Sequence, residues 1–526
     1  AGGVSLVFAI ADHPWVDSAG DAAVRISMTV GAAGSGAGEL LTVVRETPAG
    51  DGSAQVSFKV ARGVVHSDLR IGANTAAARP LQANADLSNR GFCLFGAGFI
   101  VTSEKAAALG LGSVPGLDEH VLDYRNGRDL MDKPRRSKVI DLYGLTPEQV
   151  RQRFPAVYQH VVERVKPERD ANKRKSRRDN WWIFGEPNTK LRLQLGGLRR
   201  YVATVETSKH RVFQFLDAGI APDNKLIAIA VPDAAMLGVL SSRVHVQWAL
   251  ASGSKLEDRP VYVKTKCFEA FPFPDLEFQP ALAAQIAALA EELDAHRKRQ
   301  QAAHDKTLTL TDMYNVLDAL RLGRTLTAKE RVTHADGLVS VLAELHDRLD
   351  ALVLQAYGWA DLVPALVGKP GGTLPWPEKP AAQAEAEEEL LTRLVALNAE
   401  RAAEEARGLV RWLRPDFQDP ARRAAGAAPL PTPTQDEIKI DAGSVLPAKQ
   451  TLAAVAPARR PWPATLPEQM RGVADLLSAA ARPIDAEAIT AAFTGRGPWK
   501  RRVPQILDAL AALGRARQVN GQWAAG

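Results

Sequence analysis

Hydrophobic and polar positions follow different rules along the chain. Near the start, VSLVFAI (4–10) and AVRISMTVG (23–31) are apolar, β-branched runs joined by Asp, Gly, Pro and Ser, which predicts a hairpin. ELLTVVRE and AQVSFKV, separated by a Pro/Gly/Asp turn, predict two further strands. Residues 1–79 therefore read as sheet alone, entered in its middle. From 80 to 275 short strand candidates (FCLFG, FIVT, YVATVE, KLIAIAV, VYVKT) alternate with polar, basic helices such as 146–178. AAMLGVLSSRVHVQWALA (234–251) predicts one apolar helix. From 276 to 414 apolar residues recur at three- and four-residue steps with charges outside, the pattern of long packed helices. Residues 415–465 are rich in Pro and Ala and read as a semi-extended linker. In 466–526 the pattern predicts helices at 466–480, 486–493 and 500–513, then a hairpin with an Asn-Gly turn, the element order of a winged helix. The fold class expected is α+β, multidomain.

Composition narrows the class. At 526 residues the chain is long enough for three or four domains of ~150 residues each. Its 46% hydrophobic and 24% charged content is that of a soluble protein. No window of ~18 apolar residues lacks charge, so no membrane span is expected. The start has no basic leader, and the two cysteines, Cys93 and Cys267, exclude a disulfide framework and a four-cysteine zinc site. A cytoplasmic location is expected.

Charge changes the picture more. Between Lys133 and Arg211 there are 20 Lys and Arg against 8 Asp and Glu, a local excess of 12 in a chain whose net charge is +6. The remainder is net acidic by 6. An excess of this size predicts a surface facing a polyanion, and duplex DNA is the expected partner. Its densest part is NKRKSRRDNWWIFGEP (172–187). Lys173, Arg174, Lys175, Arg177 and Arg178 each suit a phosphate, and Trp181 and Trp182 suit either a base or the core. A solvated face would carry the same cations. Lys190, Arg200, Lys209, His210 and Arg211 repeat the basic theme beside a strand and complete the candidate DNA contacts, with Lys209 to Arg211 as the more ordered positions for reading sequence. His245, within an apolar run, reads as a core histidine. No metal-ligand spacing, P-loop, dinucleotide fingerprint or Gly-x-Ser-x-Gly elbow occurs, and no metal is expected. Asp416 with Glu437 and Lys439 has the spacing of a nuclease, but in the proline-rich linker no sheet would align them.

A series of phrases carries a family resemblance. FAIADHPWVDSAGDAAVRISMTVG resembles the last strands of the catalytic domain in MmeI-like, class I S-adenosylmethionine-dependent DNA adenine methyltransferases. In order, SNRGFCLFGAGFIVT, VIDLYGLT, VYQHVVERVKPERDANKR, NWWIFGEP, RYVATVETSKHRVFQFLD, GVLSSRVHVQWALASG, VYVKTKCFEAFPFPD and RLVALNAERAAEEARGLVRWLRPDFQ are also similar, over about residues 4–418. The resemblance implies that 1–79 are the closing strands of a Rossmann-like methyltransferase sheet and that 80–275 are a target-recognition domain. It further implies that 276–414 are a helical domain, before the linker and the winged-helix-like unit. Such enzymes transfer a methyl group from S-adenosyl-L-methionine to a flipped adenine, often in restriction–modification or phage-defence systems. The family's glycine motif and its Asn-Pro-Pro-Tyr/Phe motif occur nowhere in this sequence. The chain alone is therefore expected to be inactive, with no catalytic or cofactor-binding residue of its own. The cofactor would be held by an N-terminal methyltransferase half, in cis or in trans. His13 and Trp15 correspond loosely to a second base-stacking position, or else pack at a strand end. The alternative is a non-enzymatic DNA-binding specificity or scaffold subunit. The 463–526 region, with 8 Lys and Arg against 5 Asp and Glu, suits a protein contact as well as DNA.

Overall fold

A computed structural model describes residues 3–15, 24–48, 54–256, 259–305, 307–376, 378–419, 421, 460–463, 466–479, 484–494, 502–512, 516–519 and 522–525. Apart from these last residues of 415–421 and 460–463, the expected Pro/Ala linker lies outside the described residues, as do Glu437 and Lys439. The chain divides into two compact units, 1–434 and 435–526.

The first unit opens on β1 (Val4–Trp15), β2 (Val24–Ala33), β3 (Gly38–Pro48) and β4 (Ala54–Gly63), in the sheet order β2-β1-β3-β4. Only β1 and β3 run parallel. To reach the far side of β1 the chain passes so close that a Cβ on Gly38 would lie 2.2 Å from the Leu6 carbonyl oxygen, so this position demands glycine. Register sorts the side chains. Val30 stands opposite Phe8 and Met28 opposite Ile10; Ile10 pairs with Leu41, Leu41 with Val60 and Val43 with Phe58. Period-two alternation puts all of these on one face, which is almost wholly apolar. Val30 and Val60 are each 53% exposed and Phe58 36%. The other face buries only Ala9 and Leu40, under Val65. A sheet normally buries one face against another layer; among the described residues nothing covers this one.

Beyond residue 80 two small sheets form a second centre. Strands Phe213–Asp217, Arg200–Val205, Leu226–Ile229 and Ser88–Arg90 make an antiparallel sheet in that order. Ile220–Pro222, Val121–Arg125, Lys138–Ile140 and Ile100–Val101 make the other. FCLFG is not a strand; it contributes two isolated bridges, Phe92 to Asp223 and Cys93 to Glu186. The basic region read as helix over 146–178 is four short helices, Pro147–Arg153, Pro155–Arg164, Lys166–Asp170 and Lys175–Asp179; the first three open on a proline in their first turn, which cannot continue a preceding helix. The single apolar helix expected at 234–251 is two, Ala234–Ser241 and Arg243–Ser252. The break at Ser242 frees the Arg243 amide to donate to Asp350 (2.7 Å), and the Ser242 hydroxyl donates to the Val239 carbonyl (2.7 Å).

The helices that follow include Pro280–Ala303, Leu310–Arg321, Val339–Ala356 and Ala381–Ala406. They share one continuous hydrophobic core with the two sheets, from Leu87 to Leu394. The change of pattern near 275 therefore separates textures of sequence, not cores. Buried arginines stitch the layers. Arg297 donates to the Phe213 carbonyl (2.8 Å) and to the Tyr314 hydroxyl (3.1 Å). Arg243, 1% exposed, reaches the Lys369 and Pro370 carbonyls and Glu387.

In 435–526, helices Leu466–Ala479, Ala486–Ala491 and Val503–Ala512 and the hairpin Ala516–Val519/Gln522–Ala525 occur where the pattern places them. Asp485 caps the second helix by accepting from the Ala488 amide (2.6 Å). Val473, Leu477, Ile489, Ile506 and Leu507 form its core.

Two outcomes are expected. Lysines at Phe58 and Val60 (F58K with V60K) should lower the binding of an apolar dye and concentration-dependent self-association, with the thermal transition of the main unit unmoved, because this face packs against nothing there. A fall in that transition would instead show a covered face. Arg211→Met should destabilise the same unit by about 3 kcal/mol or more in denaturant titrations, because each backbone carbonyl left unpaired costs about 1–3 kcal/mol. Unchanged stability would mean that the carbonyls around Arg211 find other donors.

Candidate nucleic-acid interface

The basic stretch is built on a short helix with two kinds of side chain on it. Asn172 accepts from the Arg174 amide (3.0 Å) and so sets the entry to Lys175–Asp179. Arg178 folds back and donates to the Asn172 (2.6 Å) and Lys173 (3.1 Å) carbonyls, closing the turn on itself. Arg177 points the other way and is buried, 3.1 Å from Glu186, with its guanidinium carbon 3.5 Å from the Phe95 ring centroid. Lys173, Arg174 and Lys175 remain on the surface, the side chains of Arg174 and Lys175 being 68% and 79% exposed. Lys175 pairs with Asp179 one turn on, an exposed contact of little strength.

The tryptophans differ as adjacent residues of an anchor should. Trp182 is buried and its indole N–H donates to the Leu145 carbonyl (2.8 Å). Trp181 is half-buried, edge-on to Tyr158 (5.9 Å) and to Trp182 (6.1 Å), with the Lys166 ammonium 5.8 Å away. Arg169, fully buried, donates to the Leu94 (2.8 Å) and Ile183 (3.0 Å) carbonyls and ties the stretch to the loop at 92–98. Burial holds its pKa below the ordinary arginine value.

Several expected contacts are withdrawn from solvent. Arg211 is 3% exposed. It donates to the Thr204 hydroxyl (3.1 Å) and to the Val205, Glu206 and Pro260 carbonyls. Burial lowers its pKa to about 10, so it stays charged at neutral pH. His210 is 1% exposed, between Thr373 (2.9 Å) and Asn315 (3.0 Å), and burial pushes its pKa down to about 4. The expectation that Lys209 to Arg211 read sequence is therefore corrected: two of the three are structural, and Lys209 is engaged by Asn315 (2.5 Å). Arg177 leaves the set of phosphate contacts for the same reason. Arg200 is committed to Glu291 (2.5 and 3.0 Å) and lies 3.7 Å from the Phe215 ring, and Lys190 pairs with Asp86 (2.5 Å). His245 is a core residue, 3.0 Å from the Tyr262 hydroxyl.

His13 lies on the apolar face of the first sheet, stacked on Phe58 with ring centroids 5.9 Å apart. Trp15 ends β1 opposite Val24, and its side chain lies outside the described residues. The two are not assembled into a pocket among the described residues. No group of three His, Cys, Asp or Glu there has the arrangement of a metal site, and no helix is long and apolar enough to cross a membrane. The exposed group that the hydropathy pattern missed is Phe95, hidden in an apolar run that reads as a strand.

What the chain resembles fits this geometry. No curated protein matches it. Among solved structures, the type IIL restriction–modification enzyme MmeI in complex with DNA is similar in fold, with a TM-score of 0.52 and 16% identity over 76% of this chain. The similarity covers 46% of that structure's chain, so this chain spans less than half of its length. The basic stretch, its tryptophan anchor and both small sheets fall largely within residues 96–275, and those residues match the MmeI target recognition domain.

Proposed function

We propose that this chain recognises a short duplex DNA sequence as the reading part of a restriction–modification enzyme of the MmeI kind. The observation that carries the reading is the exposed Lys173-Arg174-Lys175 run, mounted on an anchored segment of the matched recognition domain. Such a run contacts phosphates and fixes position; base edges are read by other groups. In this reading methyl transfer to the exocyclic amine of adenine belongs to a methyltransferase region outside this chain, joined to it or supplied as a partner.

The first sheet is proposed as the closing part of that methyltransferase sheet. Its support is the uncovered apolar face of Phe8, Met28, Val30, Leu41, Phe58 and Val60, the kind of face that a helical layer covers in an α/β fold. The residues present do not fit S-adenosylmethionine. The open face is apolar, Glu39 is paired with Arg62 (2.7 Å), and the glycine-rich turn at 34–38 after β2 leads straight into β3, not into a helix N-terminus that could hold the cofactor. The cofactor is accordingly assigned to the region outside the chain. The 466–526 unit is proposed as a winged helix.

The reading is tested by titrating duplex DNA at several salt concentrations. Wild-type affinity should fall steeply with salt. The triple variant K173Q/R174Q/K175Q should weaken binding to all sequences alike and reduce the slope of log affinity against log salt by about 2–3, since each lost phosphate contact removes about 0.9. A wild-type chain that ignores duplex DNA, or an unchanged slope in the variant, would defeat the assignment of these cations.

A further inference from the structure

The loop at 92–98 carries the least explained side chain of the recognition region. Phe92 and Phe99 are buried against Phe184, with ring centroids 5.6 and 5.3 Å away. Phe95, between them, is 42% exposed and has φ of +48°, a left-handed backbone that a bulky residue adopts only when its surroundings force it. The forcing groups are visible. Leu94 accepts from the Gly185 amide (3.1 Å) and from Arg169 (2.8 Å), and Cys93 accepts from the Glu186 amide (3.1 Å). The loop is thus pinned at the two residues that precede the strained one.

The ring itself is mounted. Arg177 lies 3.5 Å from its centroid, held by Glu186. Gly185 runs directly under it: a Cβ there would come within 2.8 Å of Phe95. A buried cation, a glycine floor and a strained turn together hold one aromatic ring outward. Beside it opens a cleft of about 240 Å³ that Phe95 lines with Tyr124, Asp223 and Asn224. Asp223 accepts from the Tyr124 hydroxyl, and Asn224 is half-buried. A carboxylate and an amide next to an aromatic face are the groups that meet base edges and base planes. Arg174, three residues before Arg177, reaches within 4.0 Å of the same Glu186, so one exposed cation rims this site.

We infer that Phe95, backed by Arg177 and Gly185, is an aromatic wedge that stacks against a base step of the bound duplex and determines specificity there. The inference rests on the DNA-reading function proposed above and adds to it the residue that does part of the reading. A ring fixed before binding loses little conformational freedom on contact. The exposed Arg174 at its rim favours approach to a polyanion. Apolar wedges act best at steps that unstack easily, so the preferred position should be a pyrimidine–purine step.

The experiment selects bound molecules from a randomised duplex library with the full chain, then measures affinity and the fluorescence of 2-aminopurine placed along the enriched site. Wild type should enrich a motif and raise the fluorescence at one step. Phe95→Ala should lose about tenfold in affinity for that motif, with the fluorescence change abolished, while binding to mixed-sequence duplex and its salt slope stay as in wild type. Phe95→Trp should retain both. Gly185→Ala, which displaces the ring without removing it, should behave as Phe95→Ala and serves if that variant folds poorly. If wild type enriches a motif and both variants bind it with unchanged affinity and fluorescence, the wedge is refuted and DNA reading stands. If wild type shows no salt-dependent duplex binding, DNA reading itself fails and the wedge with it.

Discussion

A guanidinium inside a protein dictates its surroundings, because a buried charge without partners costs more than neighbouring contacts return. This chain buries Arg169, Arg211, Arg243 and Arg297 at 3% exposure or less. Arg169, Arg211 and Arg243 are met chiefly by backbone carbonyls and Arg297 by one carbonyl and the Tyr314 hydroxyl, and those carbonyls come from different segments: Leu94 and Ile183, Val205 and Pro260, Lys369 and Pro370, Phe213. A carbonyl used in this way is one that a strand or helix leaves over. The arginines therefore join the irregular parts of the recognition region to each other and to the helices beyond residue 280. Apolar packing supplies the bulk of the burial, while the guanidinium forks specify which loop meets which helix.

The same constraint divides the basic region. An excess of cations between 133 and 211 is a fact of sequence, but each cation is either an internal fastener or an external contact. Arg177 and Arg178 are adjacent and differ completely: one is buried on Phe95, the other caps its own turn. The surface available to a polyanion is smaller than the charge count suggests, and better defined. Within the run 172–178 it leaves Lys173, Arg174 and Lys175 on the surface beside an exposed ring.

How much of this was legible follows from what each pattern encodes. The first four strands were readable because alternation and turn residues act locally, and so were the long helices with their repeating apolar stripe. Strands of three residues, such as Ser88–Arg90 and Lys138–Ile140, are too short to show a period and exist only through their partners. The prolines at 155 and 167 were signals for the breaks in the basic helix, whereas the break at Ser242 depends on Asp350, more than a hundred residues away. Charge pattern gives the sign of a surface and not the depth of a side chain. Arg211 had one local hint, its place before the apolar run VFQF, and burial took it from the interface. Phe95 was hidden by the opposite error: an apolar run suggests a buried strand, and only the left-handed φ and the glycine at 185 turn the ring outward.

The segment between the first sheet and the recognition region is the remaining link. Residues 64–85 contain little regular structure, yet they are tightly held. Arg70 donates to the Ala251 carbonyl (2.6 Å). Asn398 accepts from the Arg79 amide (2.9 Å) and donates to both the Arg79 and Ala270 carbonyls (2.9 and 2.7 Å). Glu405 accepts from the Gln82 and Ala83 amides (2.7 and 2.9 Å). Helix Ala381–Ala406 thus acts as a splint along the connection, so the connection behaves as part of a packed core and not as a hinge. Under the function proposed above, reading and chemistry would occupy separate places on one DNA and need a fixed distance and angle between them, because a misplacement of about 1 Å at the reacting atoms costs about a hundredfold in rate. A flexible joint here would let recognition proceed without setting the position of the first sheet. The splint removes that freedom, and it does so with side chains more than three hundred residues along the chain from the backbone groups they hold.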